Sequence, residues 1–167
     1  IAFGPRQLGW PEEVVQAVVD RERARFDLPL GVNPVNLPPA QARQLAIASV
    51  LAISPSVLIL DEPTNGLDEI ETRALMEILA TLHREGQTIL LITHDVEIAC
   101  EYAERVLVMS EGEIRLDGTP AEVMRQTEIL RECDVMPPPV VDLSRALWPD
   151  ALPALSVAEF VGRLRQP

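Results

Sequence analysis

Apolar and polar positions along the chain alternate between helical and extended spacing. Val14, Val15, Val18 and Val19 recur at helical intervals behind Pro11-Glu12-Glu13, a proline at the first helical position with acids in the first turn. They predict a helix that ends near Phe26. Residues 27–39 form a loop-rich crossing, dense in proline and glycine. Residues 40–53, rich in alanine and leucine without an internal breaker, predict a mostly buried helix stopped by Ser54-Pro55-Ser56. Val57-Leu58-Ile59-Leu60 is then an unbroken apolar run, as expected of a strand buried on both faces. Asp68 and Glu71 can cap the next helix, with Ile70, Leu75, Ile78, Leu79 and Leu82 as its stripe and Gly86 as its end. A strand over 88–93, a short helix over 95–102, a strand over 105–109, a turn at Glu111-Gly112 and a strand over 113–116 follow. Thr119-Pro120-Ala121-Glu122 starts another helix. Such alternation predicts an α/β fold with a mainly parallel sheet flanked by helices and joined by right-handed crossovers.

At Pro137-Pro138-Pro139 the chain is expected to stiffen and extend. Beyond lie two short amphipathic segments, 141–147 and 156–164, the second opening on a Ser156-x-x-Glu159 capping pattern. With 167 residues and 47% apolar content, the chain can bury a real core. Aromatics are only 4%, so aliphatic side chains must build it. No run approaches the roughly 20 apolar residues of a membrane span, so any membrane contact is expected through partners. A net charge of −12 argues against a nucleic-acid surface. Arg21, Arg23 and Arg25, interleaved with Glu22, predict a solvated helix face. Cys100 and Cys133 show neither metal-ligand spacing nor a disulfide framework, which suits a reduced cytoplasm. The chain opens on Ile1 rather than Met, which predicts a processed or truncated polypeptide.

Candidate chemistry gathers where the 57–60 run meets Asp61 and Glu62. Functional groups in parallel sheets collect at the carboxyl ends of strands. A carboxylate pair there suits magnesium-nucleotide hydrolysis, one acid holding hydrated Mg²⁺ and the other taking a proton from the attacking water. The stretch 59–68, Ile-Leu-Asp-Glu-Pro-Thr-Asn-Gly-Leu-Asp, resembles the Walker B strand and D-loop of an ATP-binding cassette (ABC) ATPase, and Thr93-His94-Asp95 resembles the family's switch histidine. Ala2-Phe3-Gly4-Pro5 with Leu8-Gly9-Trp10-Pro11, and a tail containing Pro137-Pro138-Pro139 and 155–160, resemble the energy-coupling-factor (ECF) and cobalt-transport ATPases.

The resemblance implies a P-loop NTPase-like fold, incomplete at its N-terminus: residues 1–53 as part of the helical subdomain, 54–135 as the ATPase core, and 136–167 as a small C-terminal extension. It implies Glu62 as general base, Asp61 holding Mg²⁺ through water, His94 against the γ-phosphate, and Asp68 ending the D-loop and reaching across a dimer. Leu37 and Gln41 would remain from the signature that touches the partner's nucleotide. The implied partners are a second ABC ATPase subunit, identical or different, a transmembrane coupling protein met by residues 3–26, and a membrane subunit that captures a vitamin or metal ion. The implied location is the cytoplasmic face of the cell membrane.

Two departures bear on activity. Where the family carries Leu-Ser-Gly-Gly-Gln, this chain has Leu37-Pro38-Pro39-Ala40-Gln41, and the following Ala42-Arg43-Gln44 replaces a basic-Gln-Arg order. Helix N-termini bind phosphate through backbone N–H groups, and proline has none. There is also no Gly-x-x-x-x-Gly-Lys-Ser/Thr phosphate loop in the sequence, so the chain alone is expected to be inactive. The simplest expectation is the C-terminal half of a longer ATPase, paired asymmetrically so that one site works and one is degenerate. The competing readings are a non-catalytic subunit that clamps a competent partner, and a soluble ABC ATPase of DNA repair or translation.

Overall fold

The structure, a computed structural model, describes residues 1–165. It divides into two units, Ile1–Ile92 and Thr93–Pro167.

In the first unit, α1 (Phe3–Gln7) and α2 (Glu12–Arg25) precede a single 3-10 turn at Pro34–Asn36 and α3 (Pro39–Leu51). Then come β1 (Val57–Asp61), α4 (Glu69–Arg84) and β2 (Thr88–Ile92). The strands β1 and β2 pair in parallel, with Val57 beside Thr88 and Asp61 beside Ile92. Gln87, which joins α4 to β2, donates through Nε2 to the carbonyls of Pro55 and Ser56 ahead of β1, which ties the two strand entrances together. The expected double-sided burial of β1 is not met. Leu58 and Leu60 are buried, whereas Val57 and Ile59, with Leu90 and Ile92 of β2, leave an aliphatic face 45–61% exposed. Strand residues alternate between faces, and this unit supplies cover for one face alone. The helix α3 is likewise less buried than its composition suggests: only Ile47, Ala48 and Leu51 are fully covered. Leu75, Met76, Leu79 and Leu82 form the inner stripe of α4, while Ile70 in its first turn stays exposed.

The Arg21–Arg25 stretch is not a solvated face throughout. Glu22 continues the stripe of Val15 and Val18 at helical spacing and is only 2% exposed. Arg21 Nε meets its carboxylate at 2.6 Å, Arg25 Nε lies 3.7 Å away, and Arg25 Nη2 reaches Glu85 at 2.9 Å. Charge spacing within the segment could not reveal this inward turn, because burial is decided by where α2 packs. Removing one member of a buried polar set leaves the other undersatisfied, at a cost of about 1–3 kcal/mol. Arg25→Met should therefore destabilise by about that amount in urea unfolding. Glu22→Met, an apolar replacement of the buried acid, should cost less or stabilise. A greater loss for Glu22→Met would mean that the acid's ion pairs outweigh its desolvation.

The second unit comprises α5 (Val96–Tyr102), β3 (Val106–Ser110), β4 (Glu113–Gly118), α6 (Pro120–Met124), α7 (Thr127–Glu132), α8 (Pro139–Leu147) and α9 (Val157–Leu164). Here the sheet is antiparallel: β3 and β4 form a hairpin with Ser110 beside Glu113. The two connecting residues both take positive φ, Glu111 at 52° and Gly112 at 80°, the geometry of a tight hairpin turn. A two-residue link cannot return a strand in parallel. Within the described residues the strands thus form two separate two-stranded sheets, one parallel and one antiparallel.

Cys100, Val108, Val123, Met124, Leu130 and Val141 form one buried cluster, joined by Leu155. Residues beyond the polyproline step therefore share a core with those before it. Pro138 is extended (φ −56°, ψ 145°), and Pro139 begins α8 as its first helical residue. Buried Ser144 of α8 accepts through Oγ from the Ala154 N–H at 2.8 Å. Trp148 and Phe160 meet edge to face at 5.4 Å. The capping boxes at Asp68/Glu71 and Thr119/Glu122 are both complete. That at Ser156 is half formed, since Glu159 accepts from Leu155 N–H instead. Burial, then the Glu97 carboxylate, pushes the Cys100 thiol up to about 11.

Candidate functional site at the end of the first strand

The carboxyl end of β1 is a sharply bent turn built from its own backbone. Asp61 closes the strand and is exposed. The Glu62 N–H extends the ladder by one step, donating to Ile92 O at 2.9 Å. Glu62 itself then takes φ 46°, a left-handed conformation that costs a long side chain about 1–3 kcal/mol. Buried Pro63 follows, its φ fixed by the ring. Asn65 N–H donates to Glu62 O and Leu67 N–H to Thr64 O, and Gly66 supplies the second left-handed position at φ 78°. The turn thus lifts Asp61 and Glu62 to the rim of the sheet.

The turn ends at the N-terminus of α4. Asp68 Oδ1 accepts from Glu71 N–H at 2.8 Å while Glu71 Oε2 accepts from Asp68 N–H at 3.2 Å. Asp68 is therefore positioned as a helix cap at the close of the segment, with its second carboxylate oxygen outside that box.

Leu37 is half-buried and extended at the end of the 3-10 turn. Pro38 caps α3 without a side-chain hydrogen bond, and Pro39 occupies its first position. That position favours proline, so the helix start survives intact. It has fewer donors to offer an anion, because only the Ala40 and Gln41 N–H groups remain outside the intrahelical ladder. Two residues beyond Gln41, Arg43 Nη1 donates to Glu62 O at 2.9 Å and to Pro63 O at 2.7 Å. The structure thus brings α3 and the acidic turn together. Sequence reasoning missed this contact: Arg43 registered only as a departure from an expected order. A long cation one turn into a helix was the available signal.

His94 lies in the second unit, two residues past the end of β2, and is exposed. Its neighbours fix the backbone. Asp95 N–H donates to Thr93 Oγ1 at 3.0 Å, and Asp95 Oδ1 caps α5 through the Glu97 and Ile98 N–H groups. His83, on the exposed face of α4, has Nδ1 3.2 Å from Gln87 O, a local helix-end contact.

Among the described residues no group of three or more His, Cys, Asp and Glu side chains could hold a metal ion. Mg²⁺ retains several waters and takes few direct protein ligands, so an exposed Asp61 beside half-buried Glu62 fits a hydrated Mg²⁺ held with substrate phosphates. A cleft of about 480 Å³ lies against α2 and α4, lined by Arg21, Arg25, Glu77, Ile78, Thr81 and Glu85. Arg25 is already paired with Glu85 within that wall, and the cleft does not include the acidic turn. No described helix is long and apolar enough to cross a membrane.

The chain matches no protein-family model. It is 38% identical to the energy-coupling factor transporter ATP-binding protein EcfA of Methanothermobacter thermautotrophicus, over 88% of this chain and 48% of that protein. It is 35% identical to EcfA2 of Streptococcus pyogenes serotype M5, over 99% of this chain and 60% of that protein. Among solved structures it resembles CbiO1 of Clostridium perfringens, part of the ABC transporter complex CbiONQ. That match has a TM-score of 0.68 and 36% identity, over 80% of this chain and 54% of that one. The chain thus spans about half the length of relatives of this kind. Over that span, in sequence and in fold, the chain is a homologue of ATP-binding proteins of ABC transporters, energy-coupling factor ATP-binding proteins among them.

Proposed function

We propose that this chain is part of the ATP-binding and ATP-hydrolysing subunit of an ECF-type importer of a vitamin or transition metal. The observation that carries the reading is the acid pair Asp61-Glu62, raised at the carboxyl end of a parallel strand, in a chain homologous to ECF ATP-binding proteins. In it, residues 1–53 belong to the helical subdomain, 54–135 to the ATPase core and 136–167 to the C-terminal extension. Bound ATP-Mg²⁺ would supply the phosphoryl group and its charge neutralisation. Asp61 would hold a water of the metal shell, and Glu62 would accept a proton from the attacking water. His94 would donate to the γ-phosphate as charge develops there.

The subunit would pair head to tail with a second ABC ATPase on the cytoplasmic face of the membrane, driving a transmembrane coupling protein beside a substrate-capture subunit. Leu37 and Gln41 would face the partner's nucleotide, as would Asp68. The Pro38-Pro39 pair favours an asymmetric arrangement in which the site completed by this chain's α3 is weak. It also gives the second reading, a non-catalytic subunit that clamps a competent ATPase, its specific support.

His94→Ala tests the first reading in the full-length polypeptide, assembled with its ATPase and membrane subunits. Loss of one transition-state donor lowers kcat by about 100-fold. The expected result is a fall of that order with ATP binding retained. Unchanged turnover would remove His94 from the mechanism. A wild-type assembly whose ATP turnover comes from the partner alone would establish the non-catalytic reading.

A further inference from the structure

We infer that Arg43 is a positioning residue that holds the Glu62–Pro63 backbone in the geometry that aims the Glu62 carboxylate; the inference rests on the ATPase reading above. One nitrogen, Nη1, carries two hydrogens and meets two successive carbonyls, Glu62 O at 2.9 Å and Pro63 O at 2.7 Å. Both bonds are charge-assisted and partly buried, which makes them stronger than neutral ones. They act where the backbone needs restraint most. Glu62 sits at φ 46° without being glycine, and such a conformation persists only when its surroundings over-determine it. The Ile92 carbonyl fixes the Glu62 N–H, and Asn65 N–H already occupies one lone pair of Glu62 O. Arg43 takes another acceptor site on Glu62 O and adds Pro63 O, closing the turn from the side of α3.

This also gives meaning to the altered order after the signature. Adjacent helical residues point about 100° apart, from 3.6 residues per turn. A guanidinium at residue 43 rather than 44 is therefore redirected, here onto the acidic turn. The helix that has lost phosphate donors at its start holds the chain's own candidate base a turn later.

The test uses the full-length polypeptide in its assembly, with Arg43→Met and Arg43→Lys, each checked for an unchanged unfolding midpoint. Amide hydrogen exchange over residues 62–67 reads the turn directly, and kcat against ATP affinity reads its consequence. For Arg43→Met we expect exchange at Asn65 and Leu67 to rise about tenfold, and kcat to fall about tenfold with ATP affinity within twofold, each tenfold being about 1.4 kcal/mol. Arg43→Lys, which keeps a charged donor, should recover most of both. Wild-type exchange in Arg43→Met overturns the inference, as does an equal loss of kcat and affinity. If Arg43→Met loosens the turn while wild type itself hydrolyses no ATP at this site, the ATPase reading fails, and with it Arg43's place in catalysis. An unloosened turn would condemn the Arg43 clamp alone.

Discussion

Glu62→Gln in the full assembly should lower turnover at this chain's site about 1,000-fold and leave ATP binding nearly unchanged. General-base catalysis contributes about 10²–10⁴-fold, and glutamine cannot take a proton from water. The substitution is informative because it leaves the backbone hydrogen bonds of the turn in place. Glu62 is held through its N–H to Ile92 O and its carbonyl to Asn65 and Arg43, all backbone groups that glutamine keeps. Glutamine has the same length and branching, so the left-handed φ is no harder to hold. A fall in kcat with retained binding would thus report proton chemistry rather than a collapsed loop. Unchanged turnover would mean that Glu62 is not the base of a working site, and the clamp-like, non-catalytic reading would take its place. The measurement is steady-state ATP hydrolysis beside equilibrium nucleotide binding, wild type against variant.

What the sequence made legible was local. The Val-Leu-Ile run, the acids that follow it and the Asp68/Glu71 box are set by neighbours within a few residues, and each occurs where its pattern says. So does the Thr119/Glu122 start of α6. What stayed hidden was decided by packing across long separations. Glu22 looks solvated among three arginines, yet it stands on the inner stripe of α2, and Glu85, which pairs with its neighbour Arg25, is sixty-odd residues away just past the end of α4. An apolar run cannot say how many of its faces are covered, and β1 has one side open at Val57 and Ile59. Arg43 illustrates the same limit at the candidate site. Its contacts lie 19 and 20 residues along the chain, beyond any helical or strand period. The residue types were legible, and their meeting was not. A Ser-x-x-Glu pattern fared between the two: Ser156 caps as expected, while Glu159 is drawn off to Leu155 N–H and Arg163.

The Glu62→Gln background also gives the cleanest view of the altered signature. On the proposed head-to-tail pairing, with Glu62 silenced as base, remaining turnover in a heteromeric pair would come from the partner's site, which this chain's α3 would complete. Into that background, Pro38→Ser with Pro39→Gly would return two backbone N–H groups and a hydroxyl at the start of α3. Hydrogen bonds to a charged group contribute about 1.5–3 kcal/mol each. Two or three of them, allowing for incomplete additivity, amount to roughly 4 kcal/mol, or about 1,000-fold. An opposing effect is small, since replacing a well-placed proline loosens the unfolded chain by about 0.4–1 kcal/mol. Because Pro39 already sits at the first helical position and Ala40 and Gln41 keep their N–H groups, the helix should reform with its axis unchanged. We therefore expect turnover to rise at least 100-fold over Glu62→Gln alone, with a slightly lower unfolding midpoint. No rise in a heteromer would mean that missing donors do not limit the partner's site. In a homodimer every site carries Glu62→Gln, and the restored signature would tighten ATP binding without recovering hydrolysis. The same triple variant therefore separates the two assemblies by which quantity moves.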